Sequence, residues 1–163
     1  MRRNHAVLLV LAACWHLATS AADRLPSYLT GTWGTAESLY VGETGQAEVH
    51  LAADGVGVVA GSTPPPQRIS GVDDGKQPPR AIIGFPVRAT LDGASLTLRP
   101  IAIDPRHAAD AAQGVITCNV DTAGLTLNCV GPSGPAMVLR RRSAVIDEEA
   151  ARMLAQLRPL LQH

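Results

Sequence analysis

The chain has 163 residues with 14 basic and 14 acidic side chains, so its formal net charge is zero, and only 3% of its residues are aromatic. The balanced charge and the lack of an extended basic stripe exclude nucleic acid and anionic membrane surfaces as expected partners. The scarcity of aromatic rings argues against a stacking platform for sugars or bases.

The first 22 residues are typical of a secretory signal peptide. Two arginines follow Met1, an apolar run covers residues 6–17, and small residues extend to Ala22. We therefore predict cleavage after Ala21 or Ala22, which leaves residues 23–163 as a single domain. The apolar run is shorter than the roughly 20 residues that cross a bilayer, and no other segment approaches that length, so no membrane span is expected.

Cysteine usage supports export and leaves one alternative open. Leu11 to Cys14 reads Leu-Ala-Ala-Cys and is similar to a lipobox, so the alternative is a lipoprotein anchored through Cys14. Cleavage after Ala22 instead removes Cys14 and leaves Cys118 and Cys129, an even number. A disulfide between them persists in an oxidising compartment, so we expect a periplasmic or secreted protein.

Three segments predict β-hairpins with alternating apolar positions. The first strand opens at Gly31 and is expected to reach about Val41. In the next hairpin, a type I′ turn at Asp54-Gly55 would pair Leu51 with Val58. The opposite face of that hairpin carries His50, which we interpret as a surface residue.

Residues 62–80 contain two proline clusters and are expected to form an extended surface loop. A hairpin about Asp92-Gly93 follows, with Val87 opposite Leu98. Residues 104–113 are interpreted as a loop with at most one helical turn.

The clearest pattern lies in residues 114–130. Folding this segment about Ala123-Gly124 places Val120 opposite Leu127 and Cys118 opposite Cys129, all on one apolar face. Directly opposed residues have Cβ atoms about 4.5–5.5 Å apart, which is close enough for a disulfide to form. The hairpin is therefore predicted to carry the bridge.

A last strand over residues 136–142 and a helix over residues 146–161 complete the chain. The helix has an apolar stripe at helical spacing and an acidic first turn, and we expect it to pack outside the β structure. Eight strands between about 31 and 142 favour an antiparallel up-and-down barrel, or a two-sheet sandwich, with one C-terminal α-helix.

The stretch Gly31-Thr32-Trp33 resembles the Gly-x-Trp motif that opens the barrel in lipocalin-like (calycin) families. The resemblance implies that Trp33 plugs the closed end of the barrel and that an arginine of the last strand lies over its indole ring. Three consecutive arginines end that strand, so Arg140, Arg141 and Arg142 are the candidates for this contact, and Arg140 is taken as the structural residue.

Residues 24–33 are also similar to the start of the small periplasmic inhibitors of bacterial metalloproteases. In those barrels the N-terminal segment enters the protease cleft. The resemblance implies a partner-contact segment over residues 23–27. Four of its residues are the candidate contacts: Arg24, Leu25, Pro26 and Ser27.

Catalytic and metal-binding patterns are scarce. Asp104, His107 and Asp110 have the best metal-like spacing, but Pro105 interrupts the segment and we interpret it as a solvated loop. Residues 73–75 read Asp-Asp-Gly but lack the other ligands of a calcium loop. We therefore predict no catalytic residues, no metal and no cofactor.

These observations favour a non-enzymatic exported barrel that binds a small apolar ligand or an envelope partner. The alternative is an inhibitor-like protein that uses the N-terminal segment. Val, Leu, Ala and Ile dominate the expected core, and an eight-stranded barrel of this kind has an interior that is either filled by side chains or open to a ligand.

Overall fold

The computed structural model describes residues 24–66, 79–132 and 134–161. The predicted signal peptide with both cleavage positions, Cys14, and the Asp-Asp-Gly sequence at residues 73–75 lie outside the described residues. So does most of the predicted loop over residues 62–80, of which residues 67–78 are not described.

The described chain forms a closed barrel in which each strand pairs with the next and the last pairs with the first. The eight strands are β1 (Gly31–Gly34), β2 (Ala47–Leu51), β3 (Val56–Ser62), β4 (Ile82–Asp92), β5 (Ser95–Pro100), β6 (Ile116–Asp121), β7 (Thr126–Val130) and β8 (Met137–Ser143). The predicted up-and-down barrel is confirmed, and a closed barrel is also what the resemblance to lipocalin-like families implies. Closure gives every strand a neighbour on both sides, although the first residues of β4 extend beyond its pairing with β5.

Alternation along the strands builds one continuous core inside the barrel. Its buried strand residues are mainly aliphatic, with Trp33 as the largest side chain: Trp33, Val49, Leu51, Val59, Val87, Ala89, Leu96, Leu98, Ile116, Cys118, Leu127, Cys129 and Leu139. Period-2 alternation places successive side chains on opposite faces, so these residues face inward while their sequence neighbours face out.

The β6–β7 hairpin has the predicted register. Cys118 pairs with Cys129 and Val120 pairs with Leu127. The two cysteines form a disulfide with their Cα atoms 3.9 Å apart, and both are buried inside the barrel. The bridge therefore joins the neighbouring strands β6 and β7 on the inner face of the barrel.

The predicted register of the β2–β3 hairpin is wrong by one residue. Leu51 pairs with Gly57, and the Gly55 amide donates to the Ala52 carbonyl oxygen at 3.0 Å. Gly55 has a φ of +75°. A type I turn followed by one left-handed glycine makes a three-residue loop, not the expected two-residue turn.

The third hairpin keeps its predicted inward face but turns one residue later than expected. Asp92 pairs with Ser95 and Ala89 pairs with Leu98. Gly93, with a φ of +57°, is thus the first of two turn residues, where a type II′ turn requires glycine.

Two features of the connections differ from expectation. β1 ends at Gly34 instead of near Val41. The segment after β5 contains a 3-10 turn over Pro105–His107 and a short helix, α1 (Ala108–Gln113), where the sequence predicted a loop with one turn.

The C-terminal helix α2 covers Glu148–Leu157 and continues as a 3-10 turn over Arg158–Leu161. It begins two residues later than the sequence predicted, because the Asp147 carboxylate caps it by accepting from the Ala150 amide at 2.8 Å. Leu154 packs on Val56 and Val58, which face outward from β3. The predicted packing of this helix on the outside of the barrel is therefore confirmed. Within the described residues, no helix has the length and apolar character that crossing a membrane requires.

Candidate functional site

One end of the barrel is closed by the segment that precedes β1. Leu25 and Leu29 are buried in the main core together with Trp33. The Leu25 amide donates to the Ala53 carbonyl oxygen at 2.9 Å, and the Trp33 indole donates to the Leu29 carbonyl oxygen at 2.9 Å. The predicted role of Trp33 as a plug agrees with this geometry.

Of the three candidate arginines, Arg141 is the cation beside the Trp33 ring, and Arg140, taken as the structural residue, is not. The guanidinium carbon of Arg141 lies 6.0 Å from the ring centroid. The same guanidinium donates to the carbonyl oxygens of Ser27 and Thr30, both at 3.0 Å. Arg140 occupies the outward position of the strand and is exposed, because neighbouring residues of a strand face opposite sides.

Gly31 has a structural role at the same end. Its φ is +112°, and a Cβ there would lie 2.2 Å from the Ser143 carbonyl oxygen. Only glycine permits this close approach where β1 meets β8.

The four candidate partner contacts belong to this closed end. Leu25 is buried, Pro26 is half-buried, and Arg24 and Ser27 are exposed. Three of them, Arg24, Leu25 and Pro26, line a cleft of about 500 Å³ with Arg88 and neighbouring residues of β4. The segment is thus tied to the barrel by Leu25 and by the Arg141 bond to Ser27.

The opposite end of the barrel holds an apolar cavity of about 400 Å³. Of the residues that the structure describes, those lining it are apolar apart from two hydroxyl residues, and none is charged: Ala47, Val49, Val59, Ala60, Gly61, Ser62, Thr63, Ala81, Ile83, Phe85, Leu98, Ile116, Cys129, Met137 and Leu139. The sequence left open whether the interior is filled or hollow. In the structure the interior is filled by side chains at the end with Trp33 and is hollow at the end with Phe85.

A second apolar cavity, also of about 400 Å³, lies against β4 and the segment that contains α1. Among the described residues, Phe85 alone lines both cavities. The outer cavity is bounded by this shared residue and ten others: Pro86, Pro100, Ile101, Ala102, Ile103, Asp104, His107, Asp110, Ala111 and Gly114.

The predicted solvated segment with Asp104, His107 and Asp110 forms the polar edge of this outer cavity. Asp104 caps the 3-10 turn and forms an ion pair with Arg106. The Arg106 hydrogen bonds hold the pKa of the Asp104 carboxyl below its usual range. Within the described residues, the one group of metal-ligand side chains whose atoms lie within 4.8 Å of one another is elsewhere, at Glu48, His50 and Asp147.

That group corrects the interpretation of His50 as a surface residue. His50 is only 7% exposed, because α2 and its preceding turn cover the outer face of β2. Its Nε2 lies 2.7 Å from a Glu48 carboxylate oxygen, and its Nδ1 lies 3.2 Å from the Thr32 hydroxyl and 3.6 Å from Asp147. The apolar residues Val56 and Val58 on the same outer face were the sequence signal for a covering helix.

Arg142 completes this group, which we call the outer ion network (Thr32, Glu48, His50, Arg142 and Asp147). Its guanidinium donates to the second carboxylate oxygen of Glu48. Burial raises the pKa of Glu48, but the hydrogen bonds from His50 and Arg142 outweigh burial and leave the pKa below its usual value.

The chemistry of the outer ion network is that of a compensated ion cluster. A metal ion bound at one imidazole nitrogen of His50 would need both carboxylates on that side of the ring, whereas Glu48 faces Nε2 and Asp147 faces Nδ1. Thr32, His50 and Glu48 contact one another in the same order as the nucleophile, base and acid of a catalytic triad. None of the network's residues lines any of the three cavities described above.

Comparison with known proteins finds similarity at the level of structure and none at the level of sequence families. No protein-family model and no curated protein matches the sequence. Among solved structures, the chain is similar to the lipoprotein YedD from Klebsiella pneumoniae subsp. pneumoniae MGH 78578, with 14% sequence identity and a TM-score of 0.47. The match covers 85% of this chain and 91% of that chain.

Proposed function

We propose that the protein is an exported, non-enzymatic β-barrel that binds a small apolar ligand in the cavity beside Phe85. The observation that carries the proposal is the cavity itself, about 400 Å³ of space whose lining among the described residues is mainly apolar and carries no charge. Ligand pockets have volumes of about 300–1,000 Å³ and are lined mainly by apolar side chains.

The two ends of the barrel fit a carrier with one entrance. Trp33 and the preceding segment pack the closed end, so a ligand would enter from the end with Ser62 and Thr63. Apolar ligand surface gains free energy when it leaves water for such a cavity, without help from charged groups. The two hydroxyl residues can hydrogen-bond to a polar head group.

The absence of catalysis is part of the proposal and is supported by the outer ion network. A nucleophile must meet a substrate, whereas Thr32 is 5% exposed and its hydroxyl also lies within 3.3 Å of the Val145 carbonyl oxygen. Glu48 is already engaged by Arg142. This arrangement suits stabilisation of the fold.

Export is supported by the signal-like residues 1–22 and by the Cys118–Cys129 disulfide, since such bridges persist outside the reducing cytosol. The inhibitor-like alternative has less support. Leu25, in the middle of the proposed contact segment, is buried and therefore does not present its side chain to a protease.

Native mass spectrometry of the protein purified from its exported fraction tests both parts of the proposal. A co-purifying small molecule would support the carrier function, and the protein mass would give the N-terminus, either Ala22, Asp23 or a lipid-modified Cys14. Binding of the apolar dye N-phenylnaphthylamine then measures the occupancy of the cavity in the ligand-free protein.

The sharpest variant for the dye measurement is Gly61→Phe. Gly61 lines the cavity, and a Cβ there would meet only the Gln46 carbonyl oxygen, at 3.8 Å. The new ring therefore fills the cavity without backbone strain, and we expect dye affinity to fall at least about tenfold. Ala94→Phe adds a ring at the opposite end of the barrel and is the matched control. Equal dye affinity in the wild type and Gly61→Phe would contradict the proposed site.

A further inference from the structure

We propose that Phe85 sets the length of the ligand that the barrel accepts, and that the ligand class is an unbranched aliphatic chain. The inference rests on the proposed function. Phe85 would do this by separating the barrel cavity from the outer cavity beside α1, each of about 400 Å³.

The barrel wall is incomplete where Phe85 lies. β4 has 11 residues, and its pairing with β5 ends at Val87 opposite Pro100. Beyond that point the Ile101 amide donates to the Pro86 carbonyl oxygen at 2.9 Å, and the chain then leaves the sheet. Pro86, which has no amide to donate, lies where the β5 ladder has stopped.

Phe85 is the next inward-facing position of β4 after Val87. On one side it pairs with Val59 of β3. On the other side no β5 residue pairs with it, and the segment that contains α1 takes the place of the missing strand. The aromatic ring is therefore the partition between two apolar spaces at this point of the wall.

The lining of both spaces favours an aliphatic chain. Valine, leucine, isoleucine and alanine dominate the barrel cavity, and Phe85 is the one aromatic residue in either lining. With few rings to stack on, a flat aromatic ligand gains little specific affinity. A flexible chain can follow the space from Ser62 and Thr63 inward to the Phe85 ring.

The test is a series of straight-chain alcohols, from octanol to hexadecanol, that compete with N-phenylnaphthylamine for the wild type and Phe85→Ala. Each buried methylene strengthens binding about fourfold until the chain meets the partition. We expect wild-type affinity to stop rising at one chain length. In Phe85→Ala the rise should continue for at least two more methylenes, a gain of at least about tenfold for the longest alcohols.

Ile82→Ala is the matched control, because Ile82 lies on the same strand and lines neither cavity. Phe85→Leu removes less volume and should move the limit by a smaller amount, which keeps the test valid if Phe85→Ala unfolds. An unchanged limit in both Phe85 variants would overturn this inference and leave the proposed function intact. Failure of every alcohol to displace the dye from the wild type would overturn the aliphatic ligand class, and failure of the dye itself to bind would overturn the proposed function.

Discussion

At the scale of single residues, Arg141 and its neighbour Arg140 in β8 have different structural roles. Its side chain faces the closed end, where it lies beside the Trp33 ring and holds the carbonyl oxygens of Ser27 and Thr30. Arg140, one position earlier, faces solvent. Two residues with the same chemistry thus differ only in the side of the strand on which they lie.

Arg141→Ala should therefore destabilise the protein, and Arg140→Ala should not. Loss of the charge-assisted hydrogen bonds to the partly buried Thr30 carbonyl group and the exposed Ser27 carbonyl group is expected to lower the free energy of unfolding by about 1–3 kcal/mol. Urea unfolding monitored by Trp33 fluorescence measures the difference. Because Arg140 is an exposed surface residue, its change should stay within about 0.5 kcal/mol. Equal effects of the two substitutions would contradict the assignment of Arg141 to the closed end.

At the scale of elements, α2 is attached to the barrel by both apolar and polar contacts. Leu154 is 1% exposed against the outer face of β3. Arg158, just after the helix, donates to the Asp54 carboxylate at 2.8 Å. That pair is about half-exposed on both sides, so the apolar contact is expected to dominate.

Leu154→Ala should lower the free energy of unfolding by about 2–4 kcal/mol, since it removes buried methyl groups and leaves a cavity. Met153→Ala is the matched control on the same helix, because Met153 is 45% exposed. Thermal unfolding followed by circular dichroism compares the two. If both variants melt at the wild-type temperature, α2 does not contribute to the stability of the barrel.

The hairpins show how far a sequence pattern predicts this fold. The alternation of apolar and polar residues correctly predicted which residues of β4 to β7 face inward, because the burial of one face is a property of each strand by itself. Register was correct where Cys118 and Cys129 had to meet. It was wrong at Asp54-Gly55 and at Asp92-Gly93, where the turn type depends on a single left-handed glycine. His50 was misplaced because its burial depends on α2, which lies about 100 residues later in the chain.

The candidate site was predictable in its chemistry and not in its shape. The apolar composition predicted an aliphatic interior, and the lining of the cavity is mainly aliphatic. The cavity itself exists because Trp33 fills only one end of the barrel and because β5 ends before it reaches Phe85. Neither the packing of Trp33 nor the length of β5 follows from the periodicity of the sequence.

At the scale of the whole molecule, the barrel closes where β1 meets β8, and a side chain crosses that seam. β1 has only four residues, and its pairing with β8 shifts register between Thr32 and Trp33. Arg142 of β8 reaches across β1 to Glu48 of β2. A Cβ at Gly34 would lie 2.8 Å from the Arg142 side chain, so the glycine leaves the path open.

This crossing predicts how the fold responds to acid. The pKa of Glu48 is lowered in the folded protein, so the folded state binds its proton less readily than the unfolded chain does. Its stabilising contribution is therefore complete above the unfolded pKa, about 4.3 for glutamate, and is lost as the pH falls through the lower folded pKa. Stability should consequently decline below about pH 5, where carboxylates begin to bind protons.

Glu48→Gln should flatten that decline, because the variant has no carboxylate to protonate at the seam. At neutral pH it should also be about 1–3 kcal/mol less stable than the wild type, since Arg142 loses its charged partner. Urea unfolding at a series of pH values between about 3 and 7 measures both effects.

Asp54→Asn is the matched control. The pKa of Asp54 is also lowered, because its hydrogen bond from Arg158 outweighs the raising effect of burial, but the pair is exposed and weakly stabilising. If the free energies of unfolding of the wild type and Glu48→Gln changed in parallel with pH, the contact of Arg142 with Glu48 across Gly34 would not hold the barrel closed.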